Sequence, residues 1–268
     1  LNPKFPAPLS NRLNVHTRFF DCISGALGQK APDLAMAAGY GTSPYFVFSG
    51  YGEDGRYFQF VELLFGGVPG RPIGDGLDGH SWWPLFRTTP AEYTEGYYPV
   101  RIASYRAVRD SGGAGAHRGG TGIEKVYEFL GPGEVSIHDD RALLAPWGIG
   151  GGRPGGRSEK ILHKADGTTV ELPSKLDHLK VGPGDRLVFR TAGAGGWGDP
   201  LERPPADVLR DVTHDLVSVE AARSEYGVVI VDGAVDEEAT ARLREEMRIE
   251  RGAPPAFDFG ELPEGLQA

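Results

Sequence analysis

Asp75, Asp78, His80 and Ser81 fall in one short run, GDGLDGHSWWP. Carboxylates beside an imidazole are the raw material of general acid/base chemistry, because histidine changes charge near neutral pH and a nearby carboxylate biases that change. Ser81 sits in GHSWW rather than in a G-x-S-x-G elbow, so its setting is not that of a serine hydrolase. Two readings of the run stand, a loop at an active site or a loop at a subunit interface.

A second group, His138, Asp139 and Asp140, closes the run GEVSIHDD. Zinc and manganese take such side chains in converging sets of three or four. Adjacent residues on a strand point to opposite faces, which separates His138 from Asp139. A salt-bridged turn with Arg141 as partner is favoured over a metal, and no metal ligands are assigned within these residues.

The third is Asp110 to Gly120, DSGGAGAHRGG, with five glycines around Ser111, His117 and Arg118. One reading is a broad loop with several positive-φ positions, anchored through local bonds by Asp110 and Ser111. The other is an anion nest, in which freed amides and the Arg118 guanidinium meet a carboxylate or phosphate. Two G-x-G-x-x-G runs, at Gly150, Gly152, Gly155 and at Gly193, Gly195, Gly198, open no helix and so do not read as dinucleotide sites.

The rest of the chain must position these groups. Its 268 residues are 40% hydrophobic, enough to bury a core, and its 40 glycines and 21 prolines punctuate short apolar runs. A net charge of -9 argues against nucleic acid as partner, since neutralising phosphates takes a basic face. Apolar runs such as YGVVIV fall short of the roughly 20 residues that span a bilayer. The single cysteine, Cys22, excludes an internal disulfide and fits a reducing cytoplasm.

Between Ser10 and Lys30, Val15, Phe19, Ile23 and Leu27 recur every fourth residue, which predicts a helix with one apolar face. YFVFSG and RYFQFVELLF flank the turn GEDG as a hairpin. PVRIASYRAVR, GIEKVYEFL, GEVSIH, SEKILHK with TTVEL, and RLVFRT read as further strands. Beyond Pro200 the period changes: PPADVLRDVTHDL, SVEAARSEY with Ser218 as N-cap, and DEEATARLREEMRIERG read as helices, with GVVIV as a strand between them. The expected fold is α+β, with β-rich mixed sheets and long glycine-rich loops. A core over residues 1–200 would carry a helical segment over 201–268.

Taken together, DGLDGHSWWP, PAEYTEGYYPVRI, RDSGGAGAHRGGTGIEKVYEF, DDRALLAPWGIGGGRPG, TAGAGGWGDPLERPPADVLRDV and LVSVEAARSEYGVVI occur in the order found in the hydantoinase B/oxoprolinase family, which the chain resembles over nearly its whole length. The resemblance implies an enzyme subunit that works with a hydantoinase A-like component of actin-like ATPase fold. Such pairs open cyclic amides such as 5-oxoproline or N-methylhydantoin at the expense of ATP, and a sister branch carboxylates acetone and acetophenone. The A component would activate a carbonyl or bicarbonate and the B component would complete hydrolysis or carboxyl transfer.

ATP would then be held by the partner, and no G-x-x-x-x-G-K-[ST] run occurs here. Family chains are much longer, and the motifs are those of their C-terminal half. The N-terminal half would complete the site and supply an Asp/His set for divalent zinc or manganese. Candidate catalytic residues are Asp75, Asp78, His80 and His138; candidate contacts to a small-molecule substrate are Ser111, His117 and Arg118. Cyclic amide hydrolysis is the favoured activity, with ketone carboxylation and a non-catalytic assembly role as the alternatives.

Overall fold

The computed structural model describes Lys4, residues 13–82 and residues 86–263. The expected helix start at Ser10 and the second tryptophan of GHSWWP, Trp83, lie outside the described residues.

Two antiparallel sheets form the centre. The first runs in the order β2-β1-β5-β9, built from β1 (Tyr45–Tyr51), β2 (Tyr57–Leu63), β5 (Gly133–His138) and β9 (Lys175–Val181). The second runs β3-β4-β10-β7-β8, from β3 (Val100–Ala107), β4 (Ile123–Phe129), β7 (Glu159–His163), β8 (Thr169–Glu171) and β10 (Arg186–Arg190). Period-2 alternation turns Phe46 and Phe48 of β1 inward, where their rings meet Tyr127 and Phe129 of β4 at 4.6 and 4.7 Å. The sheets therefore pack face to face around one aromatic core.

Two ion pairs cross this core. Lys125 of β4 donates to Glu62 of β2 at 3.1 Å, and Lys160 of β7 pairs with Asp139 just past β5. All four side chains are at most 2% exposed. Each lysine also lies over an aromatic ring, Lys125 over Tyr105 and Tyr127 and Lys160 over Phe189, which offsets part of the desolvation cost.

The sequence expectations for β1, β2, β3, β4, β5, β7, β8 and β10 match observed strands. β9 is unexpected, because KLDHLKV reads as polar and alternates weakly. So is the short helix α2 (Ala91–Tyr97). The GVVIV strand shrinks to β11 (Ile230–Val231), paired with β12 (Ala234–Val235). Two-residue β6 (Gly148–Ile149) and β13 (Phe257–Asp258) pair with each other.

In the last third, α3 (Pro205–Thr213), α4 (Val219–Ser224) and α5 (Glu237–Arg251) form where the period changes to helical. Ser218 caps α4 by accepting from the Ala221 amide, and Gly252 closes α5 at φ 68°. Val208, Val217, Ala222, Tyr226 and Val228 gather there into a second cluster that includes Ala114 of the DSGGAG run.

The helix α1 (Leu13–Gly28) forms as its spacing predicts, but its apolar face does not turn inward. Thr17, Asp21, Ser24 and Gly28 are the buried positions. Asp21 meets Arg141 at 2.5 Å, Ser24 donates to the Met36 carbonyl at 2.5 Å, and Gly28 abuts Ile149.

Candidate functional site

Four glycine-rich segments converge at one end of the second sheet: residues 66–80 after β2, 111–122 before β4, 147–156 before β7 and 192–198 after β10. The β4–β10–β7 register, with Glu124, Arg190 and Glu159 in line, brings three of them to that end together. Amides of one segment donate to carbonyls of another: Gly113 to Ala194 at 2.8 Å, Ala194 to Gly120 at 3.0 Å, Gly120 to Val68 at 2.9 Å and Gly193 to Gly156 at 3.0 Å.

The reason for glycine is proximity. A Cβ on Gly193 would sit 1.8 Å from the Ser111 carbonyl oxygen, and one on Gly119 would sit 2.0 Å from that of Ala194. Backbone packs directly on backbone, with no room for a methyl group. The expected run of positive φ in DSGGAGAHRGG is absent: within it only Asp110, at 62°, adopts that region, and its glycines are needed for approach rather than for handedness. As for the nest reading, the amides of Gly113, Gly119 and Gly120 already donate to protein carbonyls.

Above this layer lies a charge cluster. Asp75 makes a two-pronged pair with Arg203 at 2.6 and 2.7 Å and accepts from the Arg118 amide at 2.9 Å. Asp78 takes both terminal nitrogens of Arg118, at 2.8 and 3.2 Å, and the Thr121 amide at 2.8 Å. Asp211 of α3 joins Arg203 at 2.7 Å and lies 3.6 Å from Arg118 Nε. Burial pushes the carboxyls of Asp75 and Asp78 up, but hydrogen bonds and charge from Arg203 and Arg118 outweigh it and hold both below the usual carboxylate range. Both stay ionised at neutral pH and fixed by their partners, the state of groups that clamp loops together.

Arg118 is 3% exposed and also donates to the Gly119 carbonyl, so its charge is directed into the protein. Ser111 donates to the Val108 carbonyl at 2.6 Å and accepts from the Gly122 amide at 2.9 Å. His117 is about one-third exposed, with Nδ1 3.8 Å from Asp75 and its ring 5.8 Å from that of Trp197. The structure thus brings Asp75, Asp78, His117 and Arg118 together. His80, partly exposed, contacts the Ser81 carbonyl, and His138 stacks on Tyr45 in the first sheet, away from this cluster.

The turn after β5 is salt-bridged, but not through the expected Arg141. Asp139 pairs with Lys160, Asp140 with Lys175 at 2.5 Å, and Arg141 reaches back to Asp21 of α1. Burial, opposed by Asp21, brings the Arg141 guanidinium down to about 10. Among the described residues no group of three or more His, Cys, Asp or Glu side chains is arranged to hold a metal ion.

Sequence reasoning misses Arg203, Asp211 and Tyr226. Arg203 closes the run GDPLER, where a chemistry-led reading attends to glycines, and its carboxylate partner Asp75 lies far away in sequence. Tyr226 lines a cavity of about 400 Å³ beside the DSGGAG run, together with Asp110, Gly112, Gly113, Arg153 and Glu225. Burial pushes its phenol above the usual range, moderated by Arg203 and Arg118 behind it. Arg153 reaches Asp258 at 2.7 Å and Glu225 at 3.4 Å while half exposed.

The family model for hydantoinase B/oxoprolinase matches residues 1–200. The chain belongs to this family. Along 91% of its length it is 34% identical to the B-type subunit of a putative D-/L-hydantoinase of Pseudomonas sp., of which it covers 41%. Among solved structures, the ATP-dependent caprolactamase of Pseudomonas jessenii matches at 29% identity and TM-score 0.69, over 82% of this chain and 40% of that one. Nucleotide-free acetone carboxylase shares the fold at TM-score 0.74 and 22% identity, over 89% of this chain and 37% of that one. This hydantoinase B family chain therefore spans about two fifths of the length of the curated relatives it matches. No helix among its described residues is long and apolar enough to cross a membrane.

Proposed function

We propose that this chain is the C-terminal part of a B-type component of an ATP-dependent cyclic amide hydrolase, acting with an A-type ATPase component that binds the nucleotide. The observation that carries the reading is the family match over residues 1–200, reinforced by a hydantoinase subunit and a caprolactamase among the relatives. In this reading the A component transfers a phosphoryl group to the amide oxygen. Water then adds to the carbonyl carbon and the ring C–N bond breaks, with a proton of that water passing to nitrogen; the acyl phosphate so formed is hydrolysed by a second water to carboxylate and phosphate.

This chain's part is to position. Asp75, Asp78, Arg118 and Arg203 lock the glycine segments, and His117, which solvent reaches, is the contact offered to substrate. Among the described residues no group of three or more His, Cys, Asp or Glu side chains is arranged to hold a metal ion, and Asp75 and Asp78 are already paired with arginines. A divalent ion and the rest of the site would come from the N-terminal half of a full-length B-type chain.

The test is ATP consumption by the complete A and B components with 5-oxoproline, a hydantoin or caprolactam. Stimulation by a cyclic amide is expected, and none by any of them overturns the reading. Turnover that instead requires bicarbonate and a ketone replaces it with the carboxylase alternative. His117→Ala should lower turnover while the complex stays intact; a variant that loses the complex assigns this surface to assembly.

A further inference from the structure

α1 is built inside out for a surface helix. Its charged side chains, Arg18 and Asp21, are both engaged internally, with Asp21 on Arg141 and Arg18 facing Asp21 and Asp140. Facing outward are Phe19 at 55%, Ile23 at 54% and Leu27 at 54% exposed, flanked by Val15. The patch continues onto the neighbouring segments, where Leu34 is 82% and Ile73 is 89% exposed. Between them runs an apolar groove of about 420 Å³, lined by Phe20, Ile23, Leu27, Leu34, Met36 and Ile73.

A contiguous, mostly apolar surface is what the cut face of a core looks like, and permanent interfaces share that composition while transient ones are more polar; the charged residues in the lining of this groove are Asp33 and Arg71. Arg71 stands at the groove, has no ion pair among the described residues, and buries an Nε without an acceptor. An occupant with apolar side chains and one carbonyl or carboxylate near Arg71 would fit both features. More than half of each full-length relative lies outside the region this chain matches, so a segment large enough to cover the face exists in the family.

We propose that the outward face of α1, with Leu34, Ile73 and Arg71, is the docking surface for the other half of a B-type chain, whether that half is on the same polypeptide or another. The proposal rests on the reading that a second half completes this chain, but not on the reaction the assembly performs.

The experiment is co-expression of the tagged 268-residue chain with the part of the Pseudomonas sp. hydantoinase relative that lies outside the matched region. Binding is scored by co-purification and size-exclusion chromatography, without ATP or substrate. A 1:1 complex is expected, and the sole cysteine, exposed Cys22 on α1, should react with a maleimide at least about tenfold more slowly in it. Phe19→Glu with Ile23→Glu should weaken the complex about a hundredfold, a factor of about ten for each apolar anchor replaced. Both side chains already face water, so circular dichroism and the unfolding midpoint of the chain alone should not change.

No complex, or a complex indifferent to these substitutions, overturns the proposal. So does a dimer of this chain that the same substitutions dissociate, which would assign the face to a second copy. A complex that forms but turns over no cyclic amide leaves the docking surface standing and defeats the hydrolase reading instead.

Discussion

Gly193→Ala tests whether backbone proximity is the reason for the glycine layer. Gly193 does not have positive φ, so alanine is tolerated by its backbone conformation and the effect is steric. The new Cβ would lie 1.8 Å from the Ser111 carbonyl oxygen and 2.5 Å from its carbon, where ordinary contact begins at 3.4 Å. Both neighbours are backbone, so two segments must part by roughly 1.6 Å. That movement breaks or stretches Gly193 to Gly156, Gly113 to Ala194 and Gly156 to Ser111, bonds of 2.7 to 3.0 Å. At about 1 kcal/mol net for each bond, with overpacking strain of about 1–3 kcal/mol, the cost comes to about 4–6 kcal/mol.

For a chain of this size that lowers the melting temperature by roughly 8–24 °C. The measurement is urea unfolding followed by far-UV circular dichroism, with Gly96→Ala in α2 as control. A Cβ at Gly96 meets nothing within 4 Å, so the same change within a helix should be neutral or stabilise by up to about 1 kcal/mol. A Gly193→Ala protein within about 1 kcal/mol of the parent, or one indistinguishable from Gly96→Ala, refutes the close-approach account.

Other measurements probe the ion pairs. Arg203→Met leaves Asp211 buried without its closest cation and should cost about 3–5 kcal/mol; adding Asp211→Asn should recover part of that in a double-mutant cycle. Lys125→Met alone should be similarly damaging, by about 3–5 kcal/mol, whereas Lys125→Met with Glu62→Leu should come close to the parent in the same unfolding assay. Asp78 is held below its ordinary range, so its stabilisation is complete above the unfolded carboxylate value and is lost as pH falls through the lower folded one. Asp78→Asn should therefore be destabilised relative to the parent at pH 7, and the gap should narrow as pH falls below the ordinary carboxylate range, as read from unfolding midpoints across a pH series; an unchanged gap would reject the pairing with Arg118.

Most strands are readable because their alternation is strong: Phe46 and Phe48, or Leu187 and Phe189, sit at period 2 between turn residues. KLDHLKV is not, since only its hydrogen bonds to β5 make it a strand and most of its side chains face water. The loops give up their residue types but not their partners. Asp75 and Asp78 look like acid/base groups beside His80, yet the arginines that fix them stand 40 or more positions away, and local sequence holds no trace of a pairing closed by tertiary contact. The spacing of Val15, Phe19, Ile23 and Leu27 predicts a helix correctly and is silent about which face turns in; Asp21 and Ser24, bound to Arg141 and Met36, decide that.

Charge inside and apolar surface outside are linked in this molecule. Asp21 is drawn inward by Arg141, and burial raises its carboxyl against that attraction, so the helix gains little by this contact compared with burying Phe19 and Ile23. Fully covering an aliphatic or aromatic side chain supplies about 1.5–3 kcal/mol. Phe19, Ile23 and Leu27, each about half exposed, hold back several kcal/mol that only a second body can collect. Placing that free energy at an interface rather than in the core makes the fold's stability depend on assembly. In our proposal this is why the glycine layer, rigid and already hydrogen-bonded, sits on one side of α1 while the side facing out is left for the other half of the enzyme.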